Sequence, residues 1–276
     1  MSERLSEIRA RIESVRQLGQ VFSALRGLAA TRAQTARDQL VAVDAYARTI
    51  AVAIGRALAL ATAQPEPARG DAQTGLVVFV AEQGFAGAFS ERVFAALGPS
   101  LAMGELFLVG ARGAQLATQR GVKPFWTGAA ASHGAGAPKL AERIAQKLFV
   151  RIAAQKIVRL DVVYTSWSGQ RRFEVIRRRL FPLDPELFAS RANGEPPLVQ
   201  LAPEILLRGL TADYLHAQLC QAALHSFAAE NQARMEAMAA ARRQVDDKLN
   251  NLQADERRIR QAEITEEIIE LSAGGL

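Results

Sequence analysis

Residues 203–272 read PEILLRGLTADYLHAQLCQAALHSFAAENQARMEAMAAARRQVDDKLNNLQADERRIRQAEITEEIIELS. After Pro203 this stretch contains no further proline, and Gly209 is its only glycine. Apolar side chains recur every three or four positions, first as Leu206, Leu210, Tyr214 and Ala217. The stripe resumes as Met235, Met238, Ala241, Val245, Leu249, Leu252 and Ile259. This spacing keeps one stripe on one face of a helix. At a rise of 1.5 Å per residue, a helix of about 70 residues is roughly 100 Å long. No compact domain from a chain of 276 residues covers a stripe of that length. It needs a second helix.

That helix is legible at the other end of the chain. From about Ser2 to Thr62 there is no proline, and apolar residues fall at Leu5, Ile8, Ile12, Val15, Phe22 and Leu25. The pattern continues through Ala36, Leu40, Val43, Ala47, Ile50 and Ile54. A mean spacing near 3.5 suits a helix wound on a partner helix. Gly19 and Gly27 each weaken it by roughly 1 kcal/mol relative to alanine, and close approach of another backbone is one reason to keep them.

Between the two helices the pattern changes. Gln64–Asp71, with two prolines and a glycine, breaks the first helix. Gly75–Ala81 is a continuous apolar run with the character of a buried strand, and Leu106–Val109 and Ile157–Tyr164 repeat it. Helical stretches lie around Ser90–Leu97, Ala111–Arg120 and Lys139–Ala154, so strands alternate with helices and predict a largely parallel sheet. Phe173–Phe181 adds a strand carrying Arg177, Arg178 and Arg179. Three consecutive arginines cannot all face a core, which places it at an edge. Thr127–Pro138 and Asn193–Pro197 read as loops. The expected fold is α/β plus a long α-helical coiled coil: an antiparallel pair of terminal helices flanking a Rossmann-like α/β domain. The boundaries are 1–62, 63–202 and 203–276, with the last segment paired to the first.

An apolar fraction of 49% with 22% charged residues describes a folded chain, not a disordered one. The net charge of +6 suggests an anionic partner without choosing among nucleic acid, lipid headgroups and an acidic protein surface. One cysteine, Cys220, excludes an intrachain disulfide, and its apolar helical setting predicts a buried, inert thiol. His133, His216 and His225 are too dispersed for a metal-binding helix motif, so neither metal nor cofactor is expected. Met1 leads directly into charged helical sequence without a signal-peptide pattern. The best membrane candidate, Ile50–Ala63, is interrupted by Arg56. The expectation is a soluble, cytoplasmic protein that does not insert into the membrane.

Five stretches then carry a resemblance. Glu7–Val15 reads EIRARIESV, Ala24–Ala30 reads ALRGLAA, and Gly84–Ser90 reads GFAGAFS. Glu230–Met238 reads ENQARMEAM and Arg260–Ile268 reads RQAEITEEI. In this order they resemble the motifs of F-type ATP synthase gamma subunits, the last two being the most specific. Gln20, Ser23, Ala239 and Gln244 depart from the family pattern, which suggests a divergent branch such as an alternative F-type ATPase.

The resemblance implies a central-stalk rotor subunit that catalyses nothing and couples rotation of an ion-driven ring to conformational change in an alpha/beta hexamer. Its implied partners are the alpha and beta subunits, the epsilon subunit and the ring (c) subunits. The implied location is peripheral, on the cytoplasmic face of a bacterial inner membrane. Arg260 and Gln261 are implied beta-subunit contacts, and Arg234, Met235 and Met238 form a second candidate stripe. For that stripe a coiled-coil seam with Arg234 outside stands equally open. The seam itself is expected from Ile8, Ile12, Val15, Val245, Leu249, Leu252 and Ile259.

Two further features each carry a second reading. The strand–Gly84-x-x-Gly87–helix element has the outline of a phosphate cradle, but it lacks the P-loop lysine and reads better as a packing turn. Arg171, Arg172 and Arg177–Arg179 lack the interleaved aromatics of a nucleic-acid surface, so a solubilising edge or a face toward acidic ring loops is favoured. The competing reading is a nucleotide-binding α/β enzyme with helical oligomerisation arms.

Overall fold

The computed structural model describes residues 3–60, 73–168, 173–184, 186–189 and 198–273. The expected linker and loop at 64–71 and 193–197, and Arg171 and Arg172, lie outside them. Two elements dominate: α1 (Glu3–Leu58) and α6 (Pro203–Ala273). Between them run β1 (Gln73–Phe79), α2 (Phe89–Leu97), β2 (Glu105–Val109), α3 (Ala111–Gln119), β3 (Trp126–Gly128) and α4 (Ala137–Ala153). They are followed by β4 (Ile157–Trp167), β5 (Phe173–Phe181) and the short α5 (Glu186–Ala189).

The chain divides into two compact units whose limits fall inside the long helices, not at their ends. One comprises Met1–Ala30 with Arg234–Leu276, and the other Thr31–Ala233. In the first, Leu5 and Ile12 of α1 and Val245 and Leu252 of α6 are buried. Arg9 Nε donates to Glu256 Oε1 at 2.8 Å, while a Cβ on Gly19 would lie 3.0 Å from Val245 Cγ1. Position 9 opposes 256 and position 19 opposes 245, so the two segments run antiparallel. Gly19 faces side chains of Arg242 and Val245 instead of another backbone, and Gly27 borders open space where a Cβ would point. The expected close backbone approach is therefore absent at both glycines.

In the second unit the sheet order is β3-β2-β1-β4-β5. β1 pairs in parallel with β2 and β4, and β2 with β3, while β5 joins β4 antiparallel at the edge. The apolar runs alternate between two cores, as a pleated strand requires. Val77, Phe79, Phe107, Val109, Leu160 and Val162 meet α4, α6 and the Ala36–Leu40 turn of α1. Leu76, Val78, Leu106, Leu108 and Val163 meet α2 and α3. A third, smaller cluster joins Ala229 and Ala233 of α6 to Ala81, Ala86 and Phe89. Asp44 of α1 accepts from Gln221 of α6, and Arg37 donates to Gln232, so α1 and α6 run antiparallel here too.

The sequence reading of Thr127–Pro138 as loop misses β3. Three residues at an edge, ending in Gly128 before a run of alanines, carry no period to read. The arginine strand is an edge strand as expected. The arginines are not idle there, since Arg177 pairs with the buried Asp161 and Arg178 Nη1 donates to Gln218 at 2.6 Å and Gln221 at 3.0 Å.

The glycines give a contrast that measures this packing. A Cβ at Gly113 would lie 2.3 Å from Val80 Cγ2. We expect Gly113→Ala to lower stability by about 1–3 kcal/mol through overpacking. Gly27→Ala, on an exposed helical site, should raise it by up to about 1 kcal/mol. Denaturant unfolding of the isolated chain, followed by circular dichroism, checks both signs.

Candidate functional site

In an open parallel sheet, ligands bind beyond the carboxyl ends of the strands, where the strand order reverses. Here the reversal flanks β1, which carries β2 on one side and β4 on the other. The turn after β1 contains the Gly84-x-x-Gly87 element. Phe85 and Gly87 both have positive φ, 62° and 57°. That geometry frees main-chain N–H groups at the place where a nucleotide phosphate would sit.

The main-chain N–H groups just before this turn, and those at the ends of β2 and β3, are taken by the protein's own carboxylates. Glu230 of α6, 5% exposed, accepts from Glu82 N at 3.0 Å and from Gln83 N at 3.1 Å. Glu82 in turn accepts from Ala111 N at 2.9 Å, at the start of α3, and from Ala130 N at 2.7 Å. Ser90 Oγ accepts from Ala81 N at 3.1 Å. A carboxylate is the natural counter-charge for a helix N-terminus, and Glu82 plays that part at the start of α3. The sequence named the turn but neither glutamate. Glu82 follows the strand directly, which was a usable signal, whereas Glu230 arrives from 147 residues away.

The unit also holds a serine–histidine pair. His225 stacks on Tyr164 with ring centroids 5.4 Å apart, and its Nδ1 lies 3.5 Å from Ser166 Oγ. An orienting acid is required for such a pair to act as nucleophile and base. Asp44 carries the nearest opposing charge, but its Oδ1 is bound to Gln221 Nε2 at 2.7 Å. Burial lowers the His225 pKa, opposed by Asp44 and assisted by Arg178, so the ring is held neutral as a packing group. Cys220 is buried, and burial pushes its thiol up to about 12, which removes it as a nucleophile. Two open clefts of about 570 and 540 Å³ lie beside β5 and share Arg178, Arg179, Leu187, Phe188 and Tyr214.

In the unit formed by the chain ends, Ile12, Val245 and Leu252 are buried, and Ile8, Val15, Leu249 and Ile259 are half-buried. Arg260 and Gln261 are exposed. Met235 is half-buried, while Met238 is 2% exposed and Arg234 7%. Arg234 and Met238, expected at a partner surface, are thus buried by the chain itself, and the alternative with Arg234 outside fails as well. A helical period locates a stripe, but it does not show how far a long arginine folds back along it. Exposed apolar side chains lie elsewhere: Leu18, Val21 and Leu28 on α1, and Ile264, Ile268, Ile269 and Leu271 near the end of α6. No described helix is long and apolar enough to cross a membrane.

Comparison with known proteins adds the following. A family profile described as ATP synthase matches residues 4–275. The chain is 26% identical to an ATP synthase gamma chain of Anaeromyxobacter dehalogenans, over 98% of this chain and 97% of the relative. It is 28% identical to the gamma chain of Beutenbergia cavernae, over 96% and 94%. Among solved structures it resembles a chain of the Euglena gracilis mitochondrial ATP synthase rotor, with a TM-score of 0.64 at 11% identity, covering 95% of this chain and 99% of that one. A second Euglena chain, from an OSCP/F1/c-ring structure, gives 0.66 at 12% identity, covering 98% and 93%.

The half-buried His225 yields a test. Its folded pKa lies below that of the unfolded chain, so the unfolded chain binds the extra proton, and stability falls as pH drops through about 6.5. Melting temperature should decline between pH 7.5 and 5.5, and His225→Phe, which keeps the stack on Tyr164, should flatten that decline. An unchanged slope would show that His225 titrates alike in both states.

Proposed function

This chain belongs to the ATP synthase gamma family, and we propose that it works as the rotor of an F-type enzyme, transmitting torque and performing no chemistry of its own. It is the central-stalk subunit of a membrane-associated complex. In this reading the paired ends of α1 and α6 face the alpha and beta subunits of the catalytic head. The α/β unit faces the epsilon subunit and the ring. Each beta subunit then meets a different side of an asymmetric helix pair, and the differences in contact energy bias its conformation. Catalysis stays with the beta subunits, and the assembly lies on the cytoplasmic face of a bacterial inner membrane.

The observation that carries this reading is the match over nearly the whole length, from residue 4 to residue 275, so that both helices and the α/β insertion fall within one family pattern. The carboxylates at the switch point agree with it, because Glu230 and Glu82 tie main-chain donors there to the protein itself. The exposed Arg260 and Gln261 suit a polar grip on a surrounding ring of subunits, since an outward arginine reaches carboxylates through bidentate hydrogen bonds.

Co-expression with alpha and beta subunits followed by size exclusion should give one complex that hydrolyses ATP, while the isolated chain hydrolyses none. ATPase activity of the isolated chain, abolished by substitutions in the α/β unit, would overturn the proposal. Within the complex, alanine at both Arg260 and Gln261 should alter turnover by about tenfold, the factor associated with losing a charged hydrogen bond. Melting should stay unchanged. Leu252→Asp, which puts a charge into the buried seam, should instead lower the melting temperature. Early melting of the Arg260/Gln261 variant with normal turnover would mean that the two helix faces are assigned the wrong way round.

A further inference from the structure

Within the α/β unit α6 buries Leu215, Leu219, Cys220 and Leu224 against the sheet, together with Ala222, Ala223 and Ala228. Apolar contact of this kind is non-directional, and hydrogen bonds add direction to it.

Several bonds cross from α6 to the rest of the unit. Gln221 meets Asp44, Gln218 and Gln221 meet Arg178, and Gln232 meets Arg37. Each joins two side chains, and either partner can follow a moving helix by changing rotamer. Glu230 differs. Its two oxygens hold main-chain N–H groups of Glu82 and Gln83, whose positions are set by β1. Glu82 passes the constraint on to Ala111 N after β2 and to Ala130 N after β3. A rotation of α6 would strand a buried carboxylate and free N–H groups together, which is costly on both sides.

We propose that Glu230 is the positioning residue that locks α6 against rotation relative to the sheet, with Glu82 as the second link to the ends of β2 and β3. This rests on the central-stalk reading. A rotor must pass torque from the surface gripped by its α/β unit into α6, and directional bonds from α6 to the main chain stiffen that path. Under low load the lock is idle. Under high load it determines whether hydrolysis and ion transport stay in step.

The test uses the complete complex in sealed vesicles. Glu230→Gln keeps the shape but sets an amide donor against a main-chain donor. Hydrolysis in uncoupled vesicles should be nearly unchanged, while the ion gradient formed per ATP hydrolysed should fall by about tenfold, the factor for losing a hydrogen bond to a charged group. In the isolated chain the same variant should speed hydrogen exchange at the Glu82 and Gln83 amides. A normal gradient per ATP despite accelerated exchange would overturn the proposal. If Glu230→Gln does not assemble, Glu82→Gln takes its place, with a smaller fall in the same ratio expected and an unchanged ratio counting against the lock. A wild-type chain that forms no ion-pumping complex would bring down the central-stalk reading itself, and the lock with it.

Discussion

A long amphipathic helix is unstable in water until its apolar stripe is covered, and α6 spans 71 residues. Everything else in the chain answers that constraint. Within each compact unit, a stretch of α1 lies antiparallel to a stretch of α6 and covers its stripe. Antiparallel pairing requires the chain to come back to where it left, and the α/β insertion is what brings it back. Where the sheet also presses on the helices, they bury Ala36, Ala222 and Ala223 beside Leu40, Leu219 and Leu224. In the unit formed by the chain ends they bury Leu5, Ile12, Ala29, Val245 and Leu252.

The sheet has the wiring of a nucleotide-binding fold, with carboxylates of the chain itself beside its switch point. Parallel strands, a reversal beside β1, a turn with positive φ and a helix start at α3 would together suit a phosphate. Glu82 meets the donor at the start of α3, and Glu230 meets the N–H groups just before the turn. The same main-chain chemistry that elsewhere binds a ligand here fastens one element to another. Fold and function are separable in this way because the site, not the sheet, decides what is bound.

Sequence alone revealed the two helices, the α/β insertion and the edge position of β5, because each is written in short-range periodicity or composition. The boundaries of β5, Phe173–Phe181, were legible for the same reason. β3 was not, being three residues long in a glycine- and alanine-rich stretch. Arg234 was misplaced because the helical period gives a direction and no depth. The Glu230 contacts were invisible since their partners lie more than 140 residues away in sequence and are main-chain atoms, which leave no trace in residue type. Ile12, Val245 and Leu252, picked out by their period, are buried.

Direct observation of rotation tests the central claim that this chain turns inside a catalytic head. Met103 is 69% exposed, whereas the only cysteine, Cys220, is buried with its thiol pushed up to about 12, so Met103→Cys offers one reactive site for a visible probe. With the alpha and beta subunits fixed to a surface, ATP should drive the probe round continuously in one direction. A probe that stays still while the same immobilised complexes hydrolyse ATP would contradict the account.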